Sequence, residues 1–197
     1  MKNDSSLCRA TRLLRVAAVS VGCFLSVTAI TAIADEHFTL SSPDFTDNAT
    51  LDSRHAASAQ DCGGKNVSLP LAWSNAPSAT KSFAVTIYDP DGARGLGIVH
   101  WVLYGIPAAT TALGEGGPPP AGSIGGINRT GKDGYYGPCP PHGDAPHGDA
   151  PHHYVVQAYA LDLAANALPA ALDRDGLIAA MKGHVLASSS MVVRYAR

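Results

Sequence analysis

The chain reads as a mainly β domain. Short runs rich in aromatic and β-branched residues recur between turn residues, two of them carry clear strand patterning, and only one segment near the end has helical spacing. Ser82 to Tyr88 (SFAVTIY) alternates, with Phe83, Val85 and Ile87 on one face. Ile98 to Tyr104 (IVHWVLY) is an almost continuous apolar run, the pattern of a strand covered on both sides. Tyr154 to Leu161 (YVVQAYAL) and Ser190 to Tyr195 (SMVVRY) supply two further strands. The one helix is expected over Leu172 to Met181. Leu172, Leu177, Ile178 and Met181 form its apolar stripe, Asp173 its N-cap and Gly183 its stop.

At 197 residues there is room for one domain and a processing segment, because two full domains would each have too small a core. The first fifteen residues carry Lys2, Arg9, Arg12 and Arg15 against Asp4, and Val16 to Ala34 is uncharged. That run closes on Ala32-Ile33-Ala34 before Asp35-Glu36, the small-x-small pattern of a signal-peptide cleavage site. The reading is a signal peptide over 1–34 and a domain over 35–197, exported to the periplasm or secreted, with no stable membrane insertion after cleavage. The alternative is an uncleaved anchor, since the uncharged run is just long enough to span a bilayer. A lipoprotein reading at Cys23 is disfavoured, because Ser20 stands where an aliphatic residue belongs and the apolar run continues past the cysteine.

Cleavage removes four of the 14 Lys+Arg and one of the 16 Asp+Glu, which leaves an acidic domain. A generic nucleic-acid or anionic-membrane binder should be basic, so both are excluded as global properties. An anion can still be held by local geometry. All eight histidines lie in the mature part and make its charge sensitive to pH. Cys62 and Cys139 remain after cleavage. In an oxidising compartment, and without a C-x-x-C spacing, they read as a disulfide, with two buried thiols as the alternative.

Residues 105 to 151 are rich in Gly and Pro and carry no evident regular structure, which inside a small domain marks a functional or disordered segment. Within it His142-Gly-Asp-Ala-Pro146 repeats as His147-Gly-Asp-Ala-Pro151, a duplication that lengthens a loop rim. Gly126 to Asp133 (GINRTGKD) approaches a phosphate-cradling G-x-x-x-x-G-K-[ST] loop. It fails because Asp133 replaces the hydroxyl, no apolar strand precedes it, and Gly134 to Pro141 cannot start a helix. No G-x-S-x-G or H-E-x-x-H is present. His142, His147, His152 and His153 read as a solvated loop rather than a metal site, and no motif calls for a cofactor.

Polar residues gather at the strand ends. Asp89-Pro90-Asp91 follows Tyr88, and in an extended continuation the two carboxylates share a side. His100 interrupts an apolar strand, and His152 and Tyr154, two apart, share a face after the stiff Gly137-Pro138-Cys139-Pro140-Pro141. Each has a structural reading on its own: a turn, a satisfied core histidine, a rigid corner.

Taken in order, Cys62 to Ser68 through Trp73, Lys81 to Val85, Tyr88 to Asp91, Val99-His100-Trp101, Tyr136 to Pro141, His152-His153-Tyr154 and Tyr159 to Asp162 resemble the phosphatidylethanolamine-binding protein family, in particular its bacterial Raf-kinase-inhibitor-like branch. The resemblance implies a β-sandwich with one or two short helices. It also implies a small pocket for phosphate-like or carboxylate anions lined by Asp89, Asp91, His100, Gly137, Pro138, Pro140, His152 and Tyr154. The expected ligand is a small anion such as phosphate or a phospholipid head group, bound without catalysis. Two other readings stay open: an inhibitor or interaction protein acting on a protease or signalling partner, and a hydrolase using the carboxylates and histidines. A homodimer is open as well.

Overall fold

Ten residues of β5 (Ile98–Pro107) and eight of β4 (Ser82–Asp89) pair side by side in the larger of two sheets. The computed structural model describes residues 37–142 and 150–197, so the expected signal peptide, Cys23 and most of the HGDAP duplication lie outside the described residues. The other strands are β1 (Thr39–Ser41), β2 (Ala49–Thr50), β3 (Leu71–Ser74), β6 (Ala112–Leu113), β7 (Ile124–Gly125), β8 (His152–Leu161) and β9 (Val185–Tyr195). The small sheet runs β1-β3-β6 and the large one β2-β9-β8-β4-β5-β7, every pairing antiparallel except β2 with β9. This is the expected β-rich sandwich, with sheets that do not close into a barrel.

Burial explains the order of layers. Leu40, Leu71, Trp73 and Leu113 of the small sheet meet Phe83, Val85 and Ile87 of β4 and Trp101 and Leu103 of β5 in one core. The opposite face of the large sheet presents Ala84, Val102, Tyr104 and Leu161, covered by Leu177 and Met181 of α2 (Arg174–Met181). β5 is therefore covered on both sides, which is why its sequence is apolar almost throughout. Each fully buried Leu or Phe contributes about 1.5–3 kcal/mol.

Asp173 caps α2 as expected, its carboxylate accepting from the Gly176 N–H at 2.8 Å. Ile178, expected on the apolar stripe, is 39% exposed. Leu177 and Met181, one turn apart, already fill the narrow face that touches the sheet, and Ile178 lies about 100° around the helix from Leu177. The stretch 105–151 also differs from expectation. It contains the end of β5 and the two-residue strands β6 and β7, pairings too short to leave an apolar pattern. No helix of the described residues is long and apolar enough to cross a membrane.

Candidate functional site

A β-bulge sets the position of the first site residue. Along the β4–β5 pairing Ile87 lies opposite Trp101 but Tyr88 lies opposite Val99, so His100 is the extra residue. The shift breaks the alternation of β5: Trp101 and Leu103 enter the core between the sheets, whereas Val99 packs with the cluster under α2. Bulges re-aim side chains in this way. Tyr136 fixes the result from the loop above, its N–H donating to the His100 carbonyl at 2.9 Å while His100 Nδ1 donates to the Tyr136 carbonyl at 2.6 Å. A carbonyl only accepts, so the ring proton sits on Nδ1. His100 Nε2 is buried with no hydrogen-bond partner among the described residues. Burial lowers the His100 pKa to about 4. The Tyr136 carbonyl and the Asp89 charge oppose that shift, and the Arg129 charge adds to it.

Asp89 ends β4 and is 2% exposed. Its Oδ1 accepts from the backbone N–H groups of Asp91 and Gly92, both at 2.9 Å, and its Oδ2 accepts from His152 Nδ1 at 2.9 Å. The carboxylate is thus engaged on both oxygens. His152 and Tyr154 project from the same face of β8, and the Tyr154 ring meets the His100 ring edge-on with centroids 5.1 Å apart. The Tyr154 hydroxyl is enclosed near Asp89 without completing a hydrogen bond. Burial, reinforced by the Asp89 charge, pushes its pKa far above the ordinary phenol range, so it remains a proton donor.

These residues line one cavity of about 390 Å³ together with Arg94, Arg129, Arg197, Tyr136, Cys139, Pro140 and Pro141. Arg129 reaches its place because its N–H donates to the Val99 carbonyl at 2.9 Å, and its guanidinium lies 5.6 Å from the centre of the Tyr136 ring. Arg94 sits in the single-turn α1 (Gly92–Gly95), where both it and Ala93 hold left-handed backbone angles, with φ of 59° and 52°. Non-glycine residues in that region carry strain of order 1 kcal/mol or more, which surrounding structure must offset. Arg197 donates to Cys139 Sγ at 3.8 Å.

Of the residues expected from sequence, Asp89, His100, Pro140, His152 and Tyr154 line the cavity, and Asp91, Gly137 and Pro138 do not. Asp91 was expected beside Asp89. The turn closed by Asp89 Oδ1 ends the extended backbone, and Asp91 instead accepts from the N–H and Nδ1 of His153, at 2.8 and 2.9 Å, outside the cavity. Gly137 and Pro138 hold the loop rather than a ligand. The Gly137 N–H donates to Asn66 Oδ1 at 2.8 Å, and Pro138 O accepts from the Ala57 N–H at 2.9 Å. A Cβ at 137 would stand 2.2 Å from the His55 carbonyl oxygen, so this approach requires glycine. The structure also joins Cys62 and Cys139, with Cα atoms 5.2 Å apart, on the same seam.

Sequence reasoning missed the three arginines. Arg129 lies in the segment dismissed as a failed phosphate loop, and its weight was visible only as an unassigned cation among turn residues. Arg94, in the glycine-rich GARGLG run, had no signal beyond its charge. Arg197 is distant in sequence from every other lining residue.

Residues 41–196 match the family described as "Phosphatidylethanolamine-binding protein". The chain is 36% identical over 157 residues to a UPF0098 protein of Methanothermobacter thermautotrophicus, across 78% of this chain and 95% of that one. It is 40% identical over 130 residues to the UPF0098 protein YbcL of Escherichia coli, across 63% and 68%. The crystal structure of YbcL, described as a new member of the mammalian PEBP family, aligns with a TM-score of 0.73 at 32% identity, covering 82% of this chain and 99% of that one. LppC of Mycobacterium tuberculosis, provisionally named a lipoprotein, is 36% identical over 140 residues, across 71% of this chain and 63% of its own length.

Proposed function

The chain belongs to the phosphatidylethanolamine-binding protein family, and we propose that it is an exported, non-catalytic member holding one small phosphate-like anion in the cavity at the ends of β4, β5 and β8. The observation that carries this reading is the charge balance of the lining. Among the described lining residues, Arg94, Arg129 and Arg197 stand against a single side-chain carboxylate, Asp89, whose two oxygens already accept three hydrogen bonds. A cation would find no unengaged acid among the described lining residues. An anion finds guanidinium and phenol donors in a partly enclosed space where charge-assisted hydrogen bonds are strong. The volume leaves room for a head group as well as bare phosphate. Export is supported by the joined cysteines and by the naming of LppC.

A second reading, hydrolysis, draws on the buried Asp89–His152 pair, which has the form of a carboxylate-oriented base. The described lining includes no serine or threonine, and Cys139 is in the disulfide. Calorimetric titration of phosphate and of phosphoethanolamine into the wild type and His152→Ala tests the leading reading. Saturable binding that falls roughly tenfold or more in the variant supports it, because the variant removes a cavity wall and leaves the buried Asp89 carboxylate facing the anion without its His152 donor. Equal binding by the two proteins places the anion elsewhere, and steady release of ethanolamine from phosphoethanolamine would favour the hydrolase.

A further inference from the structure

Resting on the anion-binding reading, we infer that the cavity selects oxyanions that carry their own proton, with His100 Nε2 as the acceptor that reads it. The ligand class is then inorganic phosphate or a singly protonated phosphomonoester, and fully deprotonated or diesterified anions such as sulfate and phosphodiesters are discriminated against.

His100 lines the cavity and is 1% exposed. Its Nδ1–H is committed to the Tyr136 carbonyl at 2.6 Å, a bond doubled by the Tyr136 N–H on the His100 carbonyl. The neutral ring therefore presents a lone pair at Nε2, and that atom is enclosed without a partner among the described residues. A buried acceptor left unpaired is costly, and a site built to pair such an atom discriminates strongly against ligands that lack the matching donor. A P–OH supplies that donor while the remaining oxygens accept from Arg129, Arg94, Arg197 and the Tyr154 hydroxyl. Sulfate and dimethyl phosphate have no proton at neutral pH.

The other route, protonating His100 so that Nε2 donates, is opposed by its surroundings. The groups facing the ring are Asp89 from β4, Tyr154 and His152 from β8, and Arg129 and Tyr136 from the loops. Burial and the Arg129 charge outweigh Asp89 there, and the imidazolium is disfavoured. A donorless anion must bring a proton onto His100, so its binding takes up about one proton and strengthens as pH falls. Phosphate, which keeps an O–H in both forms present near neutrality, needs no such uptake.

The experiment is calorimetric titration at pH 7.5 of inorganic phosphate, sulfate and dimethyl phosphate, each in two buffers of different ionisation enthalpy, into the wild type and His100→Asn. The Asn amide can keep the bond to the Tyr136 carbonyl, while its own acceptor, Oδ1, falls short of the position that Nε2 occupies in the cavity. Phosphate should bind at least tenfold more tightly than sulfate or dimethyl phosphate, and that ratio should fall to within about threefold in the variant. Equal affinity for phosphate and sulfate in the wild type overturns the inference and leaves anion binding standing, whether or not the variant folds. A ratio that persists in folded His100→Asn removes His100 as the reader. Absence of saturable binding for all three probes takes down the reading of the cavity itself.

Discussion

His152 Nδ1 lies 2.9 Å from Asp89 Oδ2, and each residue is only 2% exposed. The bond ties the end of β4 to the start of β8, and Asp89 at the same time holds the turn that begins α1. Asp89→Ala therefore removes an acceptor shared by three donors, whereas His152→Ala removes one donor. The expected losses of stability are about 3–5 kcal/mol for Asp89→Ala and about 1–2 kcal/mol for His152→Ala. Urea denaturation of both variants checks the order. A smaller loss for Asp89→Ala would show that the turn stands without it.

Burial of neutral His100 makes stability depend on pH. The folded-state pKa is lowered to about 4 from 6.5, so between those values the unfolded chain binds the extra proton. Stability contributed by this residue therefore falls as pH drops through that window and is constant above about 6.5. From pH 7.5 to 4.5 the loss is about 2–3 kcal/mol for wild type. Denaturation midpoints at the two pH values measure it, and His100→Asn should show a difference smaller by about that amount. An unchanged pH difference in the variant would assign the dependence to other groups.

Much of this fold was legible in the chain, and the misses have physical causes. β4, β5, β8, β9 and the Asp173 cap rest on local pattern, which burial and capping impose directly. The bulge at His100 leaves no mark in composition, since one extra residue in an apolar strand looks like any other. The expectation that Asp89 and Asp91 share a side assumed continuing extended backbone, and the Asp89 carboxylate itself ended it by capping Asp91 and Gly92. Arg129 belongs to the site only because a backbone hydrogen bond to Val99 carries its loop there. That is a tertiary relationship with no local signal.

The loop over the cavity is held by a covalent clamp and by close backbone approach. Cys62 and Cys139, separated by 77 residues, should be joined in protein isolated without reductant. Thiol counting on denatured, unreduced protein should find no free thiol, and a Cys62→Ala, Cys139→Ala double variant should lose about 2–4 kcal/mol. Two titratable thiols would remove the bridge. Gly137→Ala should cost at least about 2 kcal/mol, because its methyl group would meet backbone at His55 and Ala56 that cannot swing aside. Unchanged stability would mean that this seam is looser than described.

Arg129 packs on the Tyr136 ring at the cavity mouth and is exposed. Arg129→Ala should weaken phosphate binding about tenfold, with a shallower salt dependence than wild type, and leave the melting temperature within a few degrees. Affinity within twofold of wild type at low salt would remove Arg129 from the binding set.

Backbone amide chemical-shift mapping during a phosphate titration tests most directly whether a small anion is held at the ends of β4, β5 and β8. Saturable shifts should concentrate at Asp89 to His100, Arg129, Tyr136 to Cys139 and His152 to Tyr154. Saturable shifts centred elsewhere on the sandwich, or no saturable shift at all, would contradict anion binding there.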